Sequence, residues 1–487
     1  MPTLSKHLKI LLAASEGQPF SKTGGLADVM GALPIALYEK GHDVRTVLPK
    51  YQCVTDCKKK IDPLDIEFNI PIGVKTHTVR LSKSTLAEKV PVYLVENDFF
   101  FNRDGIYGTQ GTDYPDNADR FIFFCRAILE SCKALSFYPD IIHLNDWHTG
   151  LVPVYLKLEY AQDENFKSIR TIFSIHNLAY QGNYDAETMN LTGLPDSLFC
   201  QDGLEFYNQF SFMKGGLVYA DLLTTMSPTY SKEIMTSELG CGMEGLLKLR
   251  EQDLTGILNG VDYEEWNPET DSKVITNYSS KNIKGKLKCK RDLMKTFSLT
   301  VPESTPIIGM VTRLSEQKGI DLIMEALDEI INFGAAFVLL GTGNPDYEKF
   351  FQSAQQKYPG KCGVRFEFDE TLSHKVIAGS DIFMVPSRYE PCGLTQMYAL
   401  KYGTIPLVRA VGGLQDTVKE YQPNSGKGSG FKFNGYEKEA LIETVRKALT
   451  LYQTKSAWKK LIKNAFAEDF GWPVTADKYL QIYRKII

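Results

Sequence analysis

LKILLAASEGQPFSKTGGLADVMGALPIALYEKGHDVRTVL, residues 8–48, decides the fold class. The apolar run at 8–14 is the length of a strand and too short to cross a bilayer. A glycine-bearing loop follows, then a helical pattern at 26–40, then a second β-branched run at 44–48. Strand, helix and strand in that order make a βαβ unit, whose crossover is right-handed. The loop Lys22-Thr23-Gly24-Gly25-Leu26-Ala27-Asp28 thus follows the first strand and opens the first helix. Two consecutive glycines admit close backbone approach, the helix start favours an anion, and Lys22 adds a cation. The same residues also read as a plain tight turn with a solvated lysine.

The pattern continues outward. Further strands are expected at 90–96, 140–144 and 171–176, with a long helical pattern at 118–135. After a lysine-rich polar stretch at 281–290 a second series begins. Its strands are expected at 307–312, 336–340, 364–368, 382–386 and 405–408, and its helices at 320–331, 347–357, 372–379, 394–402 and 413–421. Strict alternation predicts parallel sheets with helices on both faces, an α/β class. Two such series predict two doubly wound domains facing each other, with the shared cleft as the ligand site.

At 487 residues, 43% hydrophobic and 23% charged, the chain is long enough for two substantial cores. A formal charge of −4 excludes a polyanion-binding surface over the whole molecule, so no nucleic-acid partner is expected. Phosphate must be met by a few local cations. The nine cysteines are odd in number and scattered, which fits reduced thiols. Cys53 and Cys57 are the close pair of note, and no second pair completes a zinc site. No stretch reaches transmembrane length without charges, so no membrane partner is expected and the address is cytoplasmic.

The second series carries its own candidate phosphate site. Arg313 and Lys318, in RLSEQKG, follow the strand at 307–312. Two cations there can neutralise a diphosphate, arginine as a fork and lysine as a point charge. The segment VPSRYEPCGLTQ, 385–396, lies between a strand and a helix. Gly393, Leu394 and Thr395 would offer backbone N–H groups and a hydroxyl to a phosphate. Glu390, just before them, is electrostatically wrong for a phosphate, and sugar hydroxyls are its obvious partners. His143, Asp146 and His148 lack helical spacing and a further nearby acid, so no metal is expected there. The aromatic segment 98–114 reads either as a ligand-contacting loop or as a packed one.

Together KTGGLAD (22–28), HLNDWHTG (143–150), SIHNLAYQG (174–182), TMSPTYSKEI (225–234), LNGVDYEEWNP (258–268), VTRLSEQKG (311–319) and SRYEPCGLTQMYALKYGTIPLVRAVGGLQDTV (387–418) resemble the bacterial glycogen synthases and plant starch synthases. The resemblance implies the GT-B architecture: a first Rossmann-like domain at 1–257, completed by 465–487, and a second at 258–464. It implies transfer of glucose from ADP-glucose to the non-reducing end of an α-1,4-glucan such as glycogen or a maltooligosaccharide. Retention of configuration and release of ADP, without cofactor or metal, go with it. By carry-over, Arg313 and Lys318 bind the donor diphosphate, Lys22, Gly24 and Gly25 close over it, and Gly393, Leu394 and Thr395 cradle the distal phosphate. Glu390 holds the transferred glucose. His176 and Asn259 line the glucose pocket, Phe368 lies beside the base, and Asp28 and Asp146 serve acceptor or sugar. Position 398, eight after Glu390, is Tyr398 where many proteins of this architecture carry a second glutamate; the synthases resembled also lack it, which weighs against a two-carboxylate mechanism. UDP-glucose is the alternative donor, and a silent glucan- or nucleotide-binding protein the alternative class.

Overall fold

The computed structural model describes residues 7–109 and 111–487, which form two compact units. The first comprises the chain up to Met226, Ser231–Gly260 and Trp472–Ile487; the second comprises Ser227–Tyr230 and Val261–Gly471.

The sheet of the first unit has nine strands. Their order is Leu254–Gly256, Leu222–Thr225, Arg170–Ile175, Ile141–Asn145, Lys9–Ala13, Asp43–Pro49, Val90–Glu96, Lys75–Leu86 and Asp62–Ile72. The first seven run parallel, with Ile10 opposite both Val44 and Ile141. Strand Lys9–Ala13 buries all but its first residue, as a strand covered on both faces must. Chain order reverses between Lys9–Ala13 and Ile141–Asn145, so a switch point lies there.

The expected strict alternation fails at one edge. Asp62–Ile72 and Lys75–Leu86 form an antiparallel hairpin that adds to Val90–Glu96. DPLDIEFNIPI exposes alternate residues along most of its length, the pattern of an edge strand with a wet face. Gly73, at φ +56°, supplies the left-handed turn residue.

The second unit carries six parallel strands in the order Cys362–Arg365, Ala336–Leu340, Ile307–Val311, Ile382–Val385, Ile405–Arg409 and Phe431–Phe433. Its switch point falls between Ile307–Val311 and Ile382–Val385. Helix Ile320–Asn332 shows why the layers hold: Ile320, Ile323, Ala326, Leu327, Ile330 and Ile331 recur at helical spacing and are all buried. Each large aliphatic among them contributes about 1.5–3 kcal/mol.

Helix Trp472–Tyr483 belongs to the first unit. Tyr483 Oη and His143 Nδ1 are 2.7 Å apart, and Thr475 Oγ1 donates to the Leu258 carbonyl at 3.1 Å. Gly260 packs so closely on Trp472 that a Cβ there would lie 2.4 Å from the indole. Residues 465–471, grouped with this helix on sequence, sit in the second unit, where Ala465 is fully buried in the core. All nine cysteines are free thiols. Among the described residues no helix is long and apolar enough to cross a membrane.

Candidate active site

In the first unit, three neighbouring strands deliver side chains from their carboxyl ends. After Lys9–Ala13 comes Glu16, which is buried and accepts from the backbone N–H and hydroxyl of Thr23 and from the Gly24 N–H at 3.4 Å. The first N–H groups of the glycine loop therefore face an internal carboxylate rather than open solvent. Burial raises the Glu16 pKa. Gly24 is extended, and a Cβ on Gly25 would meet nothing within 4 Å, so the protein's own packing does not demand a glycine at 25. Its hydrogen leaves clear space at the start of helix Gly25–Glu39. Lys22 is paired with Asp28 at 2.7 Å, with both side chains about a third exposed. An exposed pair of this kind contributes about 0–1 kcal/mol and is readily exchanged for a ligand. With its amide oriented to satisfy both, Gln18 bridges the two, accepting from Lys22 and donating to Asp28.

Asp146 ends the next strand in a conformation only glycine normally adopts, φ +57° and ψ 177°. Its carboxylate accepts from the backbone N–H groups of His176, at 2.7 Å, and Asn177. Burial carries its pKa to about 7. His176, after strand Arg170–Ile175, has its Nε2 2.9 Å from Asn145 Oδ1, and burial lowers its pKa to about 3. His143 is a core residue, lodged between Tyr483 Oη and Ser174 Oγ. His148 stacks on Trp147 and on Tyr107. Tyr107 Oη in turn lies 2.7 Å from Ser15 Oγ, so at this residue the aromatic segment packs against the strand end. Asn259 is buried, and its Oδ1 has no partner among the described residues.

In the second unit the loops after Ile307–Val311 and Ile382–Val385 are joined. Gly319, at φ +70°, lies so close to Pro386 that a Cβ would be 2.2 Å from its carbonyl oxygen. The Arg388 N–H donates to the Gln317 carbonyl, and Gln317 Nε2 to that of Tyr389. This junction sets Lys318 Nζ 2.6 Å from Glu390 Oε2, with side-chain exposures of 19% and 8%. Ser387 Oγ donates to the same oxygen at 2.9 Å. Oε1 takes no hydrogen bond among the described residues. Lys318, read from sequence as a phosphate ligand, is thus engaged with the very carboxylate expected to face elsewhere.

Arg313 is exposed, and its guanidinium has no partner among the described residues. Gly393 is left-handed, φ +69°, and leads through Leu394 into helix Thr395–Lys401. Gln396 Nε2 donates to the carbonyls of Cys392 and Gly393 and to Thr417, pinning the turn. Gly413 lies flat against Cys392 and donates its N–H to the Glu390 carbonyl. Phe368 is 87% exposed.

Tyr398 stacks on Trp266 at 4.0 Å and 4°, and Trp266 stacks on the buried His374 at 3.7 Å. Glu265, Glu370 and His374 could between them hold a metal, but Lys273 Nζ sits among them, 2.7 Å from Glu265 and 3.3 Å from His374.

Residues 9–249 match the starch synthase catalytic domain, and 294–466 match glycosyl transferases group 1. The chain is 44% identical to glycogen synthase 2 of Geobacter sulfurreducens over 477 residues, 98% of each chain. It is 44% identical to glycogen synthase of Thermosipho melanesiensis over 480 residues, 98% of this chain and 99% of that one. The chain belongs to the glycogen synthase family. With membership goes glucosyl transfer in glycogen synthesis. The catalytic domain of starch synthase IV from Arabidopsis thaliana, bound to ADP and acarbose, superposes with a TM-score of 0.91 at 32% identity over 99% of both chains. The two Rossmann-like sheets are those of the GT-B class.

Within this glycogen synthase family member, the first unit holds Lys22, Gly24, Gly25, Asp28, Asp146, His176 and Asn259. The second holds Arg313, Lys318, Phe368, Glu390, Gly393, Leu394 and Thr395. Sequence reasoning gave no role to Glu16, Asn145, Ser387 or Gly413. Glu16 had one available signal, an acid three residues beyond an apolar strand.

Proposed function

We propose that the chain transfers glucose from ADP-glucose to the non-reducing end of an α-1,4-glucan, with retention of configuration and release of ADP. The observation that carries this reading is Glu390, fixed through Oε2 by Lys318 and Ser387 and open at Oε1. A carboxylate so held is suited to receive sugar hydroxyls and to stabilise positive charge developing at C1. The aromatic stack at Tyr398 leaves no second acid at this motif, which disfavours a double displacement.

The proposed step is a front-face displacement. The bond from C1 to the β-phosphate oxygen breaks, the bond from the acceptor oxygen to C1 forms on the same face, and the acceptor's proton passes to the departing diphosphate. Arg313 is the fork for that diphosphate, Lys318 a second cation, and Gly393, Leu394 and Thr395 the cradle of the distal phosphate. Lys22, Gly24 and Gly25 also serve the donor phosphates, and Phe368 offers a face for the base. His176 and Asn259 contact the transferred glucose; Asp28 and Asp146 serve acceptor or sugar. The ADP held by the Arabidopsis structure supports the choice of donor. No metal is required, and the free thiols fit a reducing, cytoplasmic setting.

Initial rates with ADP-glucose and with UDP-glucose, on glycogen and with chelator present, test the proposal. ADP-glucose should be turned over faster, and chelator should change nothing. Equal or better turnover of UDP-glucose would overturn the donor, and absence of nucleoside diphosphate from both would overturn the enzyme.

A further inference from the structure

Asn145 is 1% exposed, at the end of strand Ile141–Asn145. Its Nδ2 donates to the Ala13 carbonyl at 3.1 Å, and a carbonyl can only accept. The amide is thereby oriented with Oδ1 toward His176 Nε2, 2.9 Å away. An amide oxygen also only accepts, so the proton on the neutral imidazole must reside on Nε2. Nδ1 is left as a lone-pair acceptor with no partner among the described residues.

The backbone of His176 is fixed independently. Its N–H donates to Asp146 Oδ1 at 2.7 Å, and Asp146 holds its own strained conformation to reach it. Ring and backbone are therefore set by two consecutive residues of the neighbouring strand end.

We infer that Asn145 is a positioning residue for glucosyl transfer: by holding the Nε2 proton it makes His176 a hydrogen-bond acceptor at Nδ1, able to receive a glucose hydroxyl and unable to donate to one. The inference rests on the proposed place of His176 in the glucose pocket. It gives that pocket a polarity: His176 selects a ligand that offers an O–H at this point.

Two measurements test it. The first is long-range proton–nitrogen NMR on protein with labelled histidine, with the His176 signals among the seven histidines identified from their loss in His176→Ala. Nδ1 should resonate as an unprotonated nitrogen in the wild type, and Asn145→Leu should mix or invert the tautomers. The second is a double-mutant cycle on kcat/KM for the donor. Asn145→Leu should lose about tenfold, the value of one hydrogen bond, and lose nothing further in a His176→Ala background. A protonated Nδ1 in the wild type overturns the inference even if Asn145→Leu does not fold. So does an equal loss in both backgrounds, while leaving His176 in the pocket. Unaltered turnover of His176→Ala alone would instead remove His176 from the pocket, and the inference with it.

Discussion

Lys318 and Glu390 are 2.6 Å apart with 19% and 8% of their side chains exposed, and that asymmetry predicts unequal costs for breaking the pair. Lys318→Met keeps the apolar stem and deletes the charge, stranding a carboxylate with only the Ser387 hydroxyl as donor. Breaking a fully buried pair costs about 3–5 kcal/mol, whereas an exposed pair contributes about 0–1. One retained hydrogen bond and partial exposure place this case near 2–3 kcal/mol, a fall in melting temperature of about 4–12 °C for a unit of this size. Glu390→Gln leaves an ammonium that can turn toward water, and should cost roughly 1 kcal/mol. The double variant should cost less than the sum of the singles, by about 1–2 kcal/mol. Calorimetric melting of the four proteins, with the transition of the second unit identified by its response to ADP, reads these values. A cost below about 0.5 kcal/mol for Lys318→Met, or strict additivity, would refute the pair as a structural coupling. Turnover should fall in all three variants, since the open Oε1 depends on the hold at Oε2.

Other consequences are open to direct measurement. Asp146 carries a proton up to about pH 7 in the folded state but gives it up near 3.8 when unfolded. Its contribution is therefore full below about pH 3.8 and is lost as pH rises through 7. Asp146→Asn should match wild type near pH 4 and exceed it near pH 8 by on the order of 2–4 kcal/mol, and urea midpoints showing a constant gap would contradict this. Phe368→Ala should leave the melting temperature unchanged, because the ring is 87% exposed, yet weaken ADP about 2- to 12-fold by calorimetry. Unaltered affinity would remove Phe368 from the base site. Gly319→Ala places a methyl 2.2 Å from the Pro386 carbonyl in a left-handed residue, and should cost about 2–4 kcal/mol and most of the activity. Wild-type turnover would show that the two loops need not be joined.

Most of the fold was legible because parallel strands buried on both faces read as short apolar runs, as at 8–14, 307–312 and 336–340. The hairpin Asp62–Ile72 and Lys75–Leu86 was not, since its alternating exposure at a sheet edge carries no such run. The candidate site residues were legible as members of strand-end loops in each unit. Their pairings were not: Lys318 meets Glu390 across 72 positions, and Glu16 meets Thr23 only because the loop folds back on the strand that launched it. A motif reports which strand ends carry glycine-bearing and charged loops. Which of their charges satisfy one another depends on register and on contacts such as Gly319 against Pro386, where a single methyl would hold the chains apart.

Helix Trp472–Tyr483 has a consequence for the order of assembly. His143 and Tyr483, which are hydrogen-bonded in the first unit, stand 340 residues apart in the chain. A growing polypeptide emerges from the ribosome amino end first. The first unit must therefore wait, with strand Lys9–Ala13 and its neighbours made but the surface around His143, Leu258 and Gly260 uncovered, until the whole of the second unit has been synthesised. Synthesis interrupted within 472–487 would leave the second unit whole and the first one open, so the earliest-made half is the one most exposed to aggregation and proteolysis.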